Sequence, residues 1–130
     1  MPSIFSRIIA GEIPCYKVGE TETCFAFLDI NPLQKGHVLV VPKKEVDKLF
    51  DLDEKTYQEL FGYVRKVAGA IKKAYPCDRV GMAVIGLEVP HAHVHLVPIN
   101  RMIDIDFTQP KLSLSQEEFK EVAERIANNL

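Results

Sequence analysis

The segment from Pro90 to Pro98 constrains this chain most, because histidine alternates there with apolar residues between two prolines. His91, His93 and His95 are three of the four histidines in the sequence. Successive side chains of a β-strand point to opposite faces, so the alternation predicts a strand that places all three imidazoles on one face. The prolines fit the two ends of such a strand, since proline cannot donate a ladder hydrogen bond.

Three imidazoles on one strand face suit two kinds of chemistry. Three histidines and a water molecule can form an open catalytic zinc site. Alternatively, one imidazole can act as a nucleophile while its neighbours orient it and bind charge. A purely structural role is the third possibility. The fourth histidine, His37, lies in another strand-like segment, and this grouping favours a functional site.

Length and composition predict one domain, residues 1–130, without membrane or nucleic-acid partners. The net charge is −2 and no basic patch is evident, which argues against nucleic acid binding. The three cysteines, Cys15, Cys24 and Cys77, are widely spaced and suggest no disulfide framework. No signal sequence or membrane-length apolar run is present, so the expected location is the reducing cytoplasm.

The periodicity of apolar residues predicts an α+β fold with a five-stranded antiparallel sheet. A long helix is expected between the third and fourth strands, with a short helix before the sheet and another after it. The predicted helices are Ser3–Ala10, Glu54–Tyr75 and one that opens at the capping box Ser115–Glu118, and the predicted strands are Cys15–Val18, Thr23–Ile30, His37–Val41, Arg79–Leu87 and Pro90–Pro98. Residues 99–114 are expected to be irregular.

Asp29 is unusual because it places a carboxylate near the end of an apolar strand, on the same face as Phe27. It can organise the Asn31–Pro32 turn by accepting hydrogen bonds from nearby backbone amides. It can also contact a ligand, since a fixed carboxylate suits a pair of sugar hydroxyls. The sequence alone favours the structural role of Asp29 in the turn.

The residues 91–97 resemble the His-x-His-x-His-x-x pattern, with x apolar, of the histidine triad (HIT) hydrolases. Three other segments are similar to that family in order and spacing. Ser3–Pro14 resembles its opening helix, Phe25–Ile30 its nucleoside-binding strand, and Gly36–Lys43 the segment with its fourth histidine. The resemblance extends from about residue 3 to about residue 98, so the tail and helix of residues 99–130 lie beyond it.

The resemblance implies a HIT-like fold and a nucleotide hydrolase that needs no metal or cofactor. His93 would attack an α-phosphorus and form a covalent nucleotidyl-histidine, which water then hydrolyses. His91 and His95 would flank it and, when protonated, bind phosphate oxygens, and His37 would support the triad strand. The expected substrates are purine nucleoside phosphoramidates or related nucleotidyl conjugates.

The resemblance also implies a pocket for an AMP-like or GMP-like nucleotide. Asp29 would bind the ribose hydroxyls. The apolar residues around it also fit an ordinary core, and the sequence alone favours that role for them. The other expected binding residues are Phe5, Ile8, Phe27, Ile30, Leu87 and Glu88. Family members usually dimerise so that two sheets become continuous, so a homodimer is expected.

The chain departs from the family pattern just before the triad. Many members have Gly-Gln-Ser/Thr-Val there, whereas this sequence has Gly86–Val89 with Leu87 and Glu88 in the polar positions. Leu87 cannot donate a hydrogen bond. Glu88 would repel a phosphate unless its carboxyl group is protonated or binds an amine on the leaving group, in which case it would favour a cationic leaving amine. Some bacterial members bind structural zinc with N-terminal cysteines. Ser3 and Ser6 occupy those positions here, so no structural zinc is expected.

Four functional alternatives follow from these residues. Members that transfer nucleotidyl groups commonly have Gln in place of the last histidine, so His95 indicates a hydrolase. The short single domain is most similar to the phosphoramidase-type branch. A dinucleoside polyphosphate hydrolase is the nearest alternative. A nucleotide-binding protein with little turnover is another, because of Leu87. The last is a metalloprotein with His91, His93 and His95 as ligands.

Overall fold

A computed structural model describes all 130 residues and confirms the α+β fold with an antiparallel sheet. The helices are α1 (Ile4–Ile9), α2 (Glu54–Ala74) and α3 (Gln116–Ala127), and the strands are β1 (Lys17–Glu20), β2 (Cys24–Leu28), β3 (Val38–Pro42), β4 (Arg79–Ala83) and β5 (Val94–Ile99). Short 3₁₀ turns cover Leu49–Asp51 and Met102–Ile105. As expected from the sequence, α2 connects the third strand to the fourth.

The five strands follow the order β1-β2-β3-β5-β4, and every neighbouring pair is antiparallel. Each helix begins where the sequence supplies a cap. The side chains of Ser3, Asp53 and Ser115 accept hydrogen bonds from backbone amides in the first turns of α1, α2 and α3. The predicted capping box at Ser115 is confirmed.

One face of the sheet packs against α2 and α3 and forms the main hydrophobic core. The predicted apolar stripes of both helices are buried there, including Leu60, Val67 and Ile71 of α2 and Val122 and Ile126 of α3. The opposite face carries a smaller cluster that includes residues of α1, β2 and β3. Its buried members are Phe5, Phe25, Phe27, Leu39 and Val41. The sheet therefore leaves this second face for the candidate site.

The histidine segment is not one continuous strand, because β5 begins only at Val94. The backbone amide of His91 donates to Val89 O at 2.8 Å, and that of Ala92 donates to Val46 O at 2.7 Å, outside the sheet. The prediction that a strand covers 90–98 is therefore wrong for its first half. Pro98 lies inside β5, opposite β4, at a point where β3 no longer pairs with it.

Two other strands also differ from their predicted bounds. β1 spans Lys17–Glu20 and not Cys15–Val18. It includes Gly19, where a Cβ would lie 2.6 Å from the Tyr63 hydroxyl. β4 ends at Ala83, before Leu87. Gly86 follows with φ +73°, a left-handed conformation that interrupts an extended strand.

None of the helices has both the length and the apolar character required to cross a lipid bilayer.

Candidate active site

A cavity of about 480 Å³ opens on the sheet face that carries the smaller cluster. This volume is in the range of small-molecule binding sites. The structure brings together every sequence-predicted site residue except His91. The predicted residues that line the cavity are Phe5, Ile8, Phe27, Asp29, Ile30, His37, Leu87, Glu88, His93 and His95.

Two buried aromatic rings belong to the apolar wall of the cavity. Phe5 of α1 and Phe27 of β2 are buried and meet edge to face, with ring centroids 5.4 Å apart. Phe5 also meets the His93 ring edge to face at 5.0 Å. Ile30 and Leu87 are 64% and 90% exposed, so they lie at the opening. Such a cavity suits a flat apolar group that enters from solvent and stops beside His93.

His93 presents a free ring nitrogen to the cavity. Its Nδ1 lies 2.7 Å from the backbone oxygen of His91, which can only accept, so Nδ1 carries the proton and donates. In the neutral ring Nε2 then has a free lone pair. Nε2 has no protein partner, and it is not among the buried polar atoms without one, so solvent reaches it. This is the geometry of an available nucleophile.

A chain of hydrogen bonds sets the proton position on His95. The amide of Leu33 donates to Nδ1 of His37 at 3.0 Å, so a neutral His37 carries its proton on Nε2. That Nε2 lies 3.0 Å from Nδ1 of His95 and donates to it. A neutral His95 therefore carries its own proton on Nε2. The cavity thus has a donor on His95 beside the free lone pair of His93, with ring centroids 5.1 Å apart.

Burial keeps both members of this pair neutral. Desolvation, with the neighbouring His95, lowers the pKa of His37 to about 3. Desolvation, with the neighbouring His93, lowers the pKa of His95 to about 4. The resemblance implies a protonated His95 that binds phosphate oxygens, whereas burial in the free protein favours the neutral ring. It offers a neutral N–H donor instead.

His91 lies behind the cavity wall, contrary to the expectation that it flanks the reacting phosphate. It is fully buried, and its Nε2 donates to Pro42 O at 2.8 Å. Its Nδ1 accepts from the Ser3 hydroxyl at 2.7 Å. Burial also lowers the pKa of His91, which favours the neutral ring. The turn before β5 rotates His91 away, so its role here is to hold α1 and the backbone oxygen that orients His93.

Ser3 and Ser6 belong to a polar network that ties α1 to the loop after β3. The Ser3 amide and the Ser6 hydroxyl both donate to Oε1 of Glu45 at 2.6 Å. Ser6 Oγ also lies 3.5 Å from Nδ1 of His91. The two serines thus connect His91 to Glu45 through hydrogen bonds. They occupy the positions at which some bacterial members of the family that the sequence resembles carry zinc-binding cysteines.

Asp29 serves the turn and also faces the cavity, so both interpretations of this residue have structural support. Its Oδ1 accepts from the Asn31 amide at 2.8 Å. Its Oδ2 lies 3.5 Å from Nε2 of His37 and 3.9 Å from Nδ1 of His95. Since both imidazoles are neutral, these contacts are not ion pairs. Burial raises the pKa of Asp29 above its usual value.

The only group of three side chains that could converge on a metal ion is Asp29, His37 and His95, whose ligand atoms lie within 4.8 Å of one another. The metal alternative based on His91, His93 and His95 is therefore wrong in its ligands. A cation at the convergent group would have to displace the proton that His37 shares with His95. The hydrogen-bond chain accounts for these residues without a metal.

Two of the cavity residues that the sequence interpretation did not name, Phe107 and Lys111, lie in the irregular tail. The Phe107 ring meets the His95 ring at 4.8 Å and the His37 ring at 6.0 Å, edge to face in both cases. Lys111 Nζ donates to the backbone oxygens of Phe107 and Gln109 at 2.6 and 3.0 Å. Residues 99–114 have no periodic pattern and lie outside the recognised motifs, so no sequence signal pointed to them.

Comparisons with known proteins show which family this chain resembles in sequence and in fold. The model of the HIT domain matches residues 10–102. Adenosine 5′-monophosphoramidase of Schizosaccharomyces pombe is 34% identical over 100% of this chain and 99% of its own length. Bis(5′-nucleosyl)-tetraphosphatase (asymmetrical) of the same yeast is 33% identical over 90% of this chain and 64% of its own length. The crystal structure of a Hit-like protein of Bartonella henselae superposes with a TM-score of 0.87, at 32% identity over 98% of this chain and 96% of its own.

The neutral His37–His95 pair predicts that acid destabilises the protein. Both imidazoles titrate near pH 6.5 when unfolded, but in the fold their pKa values are about 3 and about 4. Between these values and pH 6.5 the unfolded chain binds more protons, so the free energy of unfolding falls as pH falls. We expect a loss of about 1–2 kcal/mol for each histidine between pH 7 and pH 5, measured by urea denaturation.

The variant His37→Asn is the control, because its amide keeps a polar acceptor near the Leu33 amide but does not titrate. We expect this variant to lose the contribution of one histidine, about 1–2 kcal/mol between pH 7 and pH 5. Equal unfolding free energies of the wild type at pH 7 and pH 5 would contradict the assignment of two neutral imidazoles.

Proposed function

Because this chain belongs to the HIT family, we propose that it is a nucleotide hydrolase that cleaves purine nucleoside phosphoramidates or related nucleotidyl conjugates at the α-phosphate. The observation that carries the proposal is the free Nε2 of His93, oriented by the bond from Nδ1 to His91 O. The neighbouring N–H of His95 supports it. The name of the yeast relative supports the substrate class.

The reaction proceeds in two displacements at phosphorus. In the first, the Nε2 lone pair of His93 forms a bond to the α-phosphorus, the bond from phosphorus to the amine breaks, and the amine takes up a proton. In the second, water attacks the phosphorus, the bond to Nε2 breaks, and the water releases a proton. The products are a nucleoside monophosphate and an amine, and His93 returns to its neutral form.

The remaining cavity groups position the substrate. The Nε2–H of His95 donates to a non-bridging phosphate oxygen, and the hydrogen bond from His37 maintains that tautomer. The base lies against Phe5 and Phe27, with Ile8 and Ile30 beside it, and the ribose hydroxyls reach Oδ2 of Asp29. Oδ1 stays on the Asn31 amide, so the turn holds the carboxylate in place.

Replacement of His93 by alanine tests the nucleophile. We expect the wild type to release AMP from an adenosine 5′-phosphoramidate with a fluorogenic amine, with EDTA present, because the chemistry uses imidazole and not a metal. His93→Ala should lose at least about a thousandfold in kcat. Calorimetric binding of AMP and circular dichroism serve as controls that the variant retains its fold.

Other results of the same assay would identify a different function. If EDTA abolishes the wild-type activity, a metal site at Asp29, His37 and His95 replaces the histidine mechanism. If neither protein releases AMP but both bind it tightly, the chain is a nucleotide-binding protein with little turnover. The specific observation in favour of that second candidate is Leu87, which lines the cavity opening and cannot donate a hydrogen bond.

A dinucleoside polyphosphate is the alternative substrate, as the name of the tetraphosphatase relative suggests. Glu88 bears on this choice because its carboxylate lines the same cavity. A negative charge there disfavours a polyphosphate leaving group and favours a cationic amine.

Replacement of Glu88 by glutamine tests that selectivity. We expect Glu88→Gln to lower kcat/KM for a phosphoramidate with a cationic amine by about tenfold relative to one with a neutral amine, since a charged contact is lost. The ratio of the two kcat/KM values is the measurement. Leu87→Ala is a control at the neighbouring position that leaves the charge unchanged. An unchanged ratio in Glu88→Gln would rule out the role of the carboxylate.

The proposal includes a homodimer formed through β4, which is an edge strand with one unpaired side. Exposed apolar side chains lie on β4 and on the 3₁₀ turn after β5, including Met82, Met102 and Ile103. The other edge strand, β1, carries the charged residues Lys17 and Glu20. Open apolar edges invite pairing whereas charged edges resist it, so β4 is the expected interface.

Sedimentation measures this assembly. We expect a species of about 29 kDa at micromolar concentration, twice the 14.7 kDa of one chain. Met82→Glu should shift it to the monomer, because a desolvated charge opposes the pairing. Phe50→Glu places the same charge at an exposed apolar residue outside β4 and serves as the control. A wild type that sediments as a monomer at these concentrations would exclude the interface.

A further inference from the structure

The tail beyond the HIT domain forms one wall of the cavity. The family model ends at residue 102, whereas Phe107 and Lys111 both line the cavity. From this placement we propose that Lys111 is a specificity-determining residue that attracts ligands with negatively charged phosphate and discriminates against uncharged nucleosides. The inference rests on the proposed function, because it concerns the same site and the same class of ligand.

The tail is held in place by contacts with the body of the domain. The Leu112 amide donates to Pro32 O at 2.8 Å, which ties the tail to the loop between β2 and β3. Thr108 donates from its amide and its hydroxyl to Oδ1 of Asp106, at 2.9 and 2.6 Å. Phe107 packs on His95. These contacts fix the turn from which Lys111 projects.

The ammonium group of Lys111 is oriented but not neutralised. Two of its three protons are used by the backbone oxygens of Phe107 and Gln109. Neither partner carries a formal charge, and no carboxylate forms an ion pair with Lys111. One N–H and the full positive charge therefore remain for a ligand. An ammonium held in this way loses less freedom when it binds than a free lysine side chain does.

Lys111 is important for anion binding because the other charged side chains that line the cavity are carboxylates. It is the one lysine or arginine among the lining residues, whereas Asp29 and Glu88 are two carboxyl groups. Burial keeps His37 and His95 neutral, and the pKa of each lies far below 7. The charge of Lys111 also reaches Asp29, where it opposes the rise in pKa that burial causes. Without Lys111 an anionic phosphate would meet carboxylates and neutral donors only.

Calorimetric titration with AMP and with adenosine tests the proposal on the full-length protein. Both ligands share the base and ribose, but only AMP carries the phosphate charge. We expect Lys111→Gln to weaken AMP binding about tenfold, because a charged contact is removed. Adenosine binding should stay within about twofold, and Lys111→Arg should keep most of the affinity for AMP. The AMP affinity of the wild type should also fall with added salt more steeply than that of Lys111→Gln.

Lys48→Gln is the matched control, since it removes the same charge from an exposed lysine that does not line the cavity. Equal losses for AMP and adenosine in Lys111→Gln, or no loss for AMP, would overturn the proposal. So would equal losses in the two lysine variants. These readouts are independent of turnover, so a protein that binds AMP through Lys111 but hydrolyses no phosphoramidate would contradict the proposed function alone.

Discussion

The site depends on one chain of hydrogen bonds, from the Leu33 amide through His37 to His95. The amide can only donate, so it determines the tautomer of His37 and, through it, the tautomer of His95. Burial of both rings removes their charge and makes these short contacts strong. The result is a neutral N–H donor on His95 next to the free Nε2 of His93. The other cavity residues surround these two groups.

The sheet makes this arrangement possible because one of its faces packs against helices and the other carries the cavity. The face covered by α2 and α3 contains the larger core, and it stabilises the strands. The other face carries the short helix α1, the smaller cluster and the tail at Phe107, which together leave room for the cavity. His37 and His95 lie on that open face, beside β3 and within β5, at neighbouring positions of the sheet. The main core therefore supports the site without blocking it.

The three triad histidines have three different environments, although the sequence alternates regularly. His95 belongs to β5, and its ring meets His37. His93 precedes the strand and donates to the backbone oxygen of His91. His91 itself points away and binds Ser3 and Pro42. The difference arises because the backbone of residues 89–92 turns toward Val46 and does not continue the sheet.

The sequence by itself determined the α+β fold and the order of its strands and helices. Of the eleven site residues predicted from it, ten line the cavity. Those features follow from local periodicity, helix caps and a recognisable motif, which are properties of neighbouring residues. The tertiary structure alone decided that His91 leaves the site, that His37 and His95 are neutral, and that Phe107 and Lys111 enter from the tail. Each of these depends on burial or on contacts between residues far apart in the chain, where no local pattern carries the information.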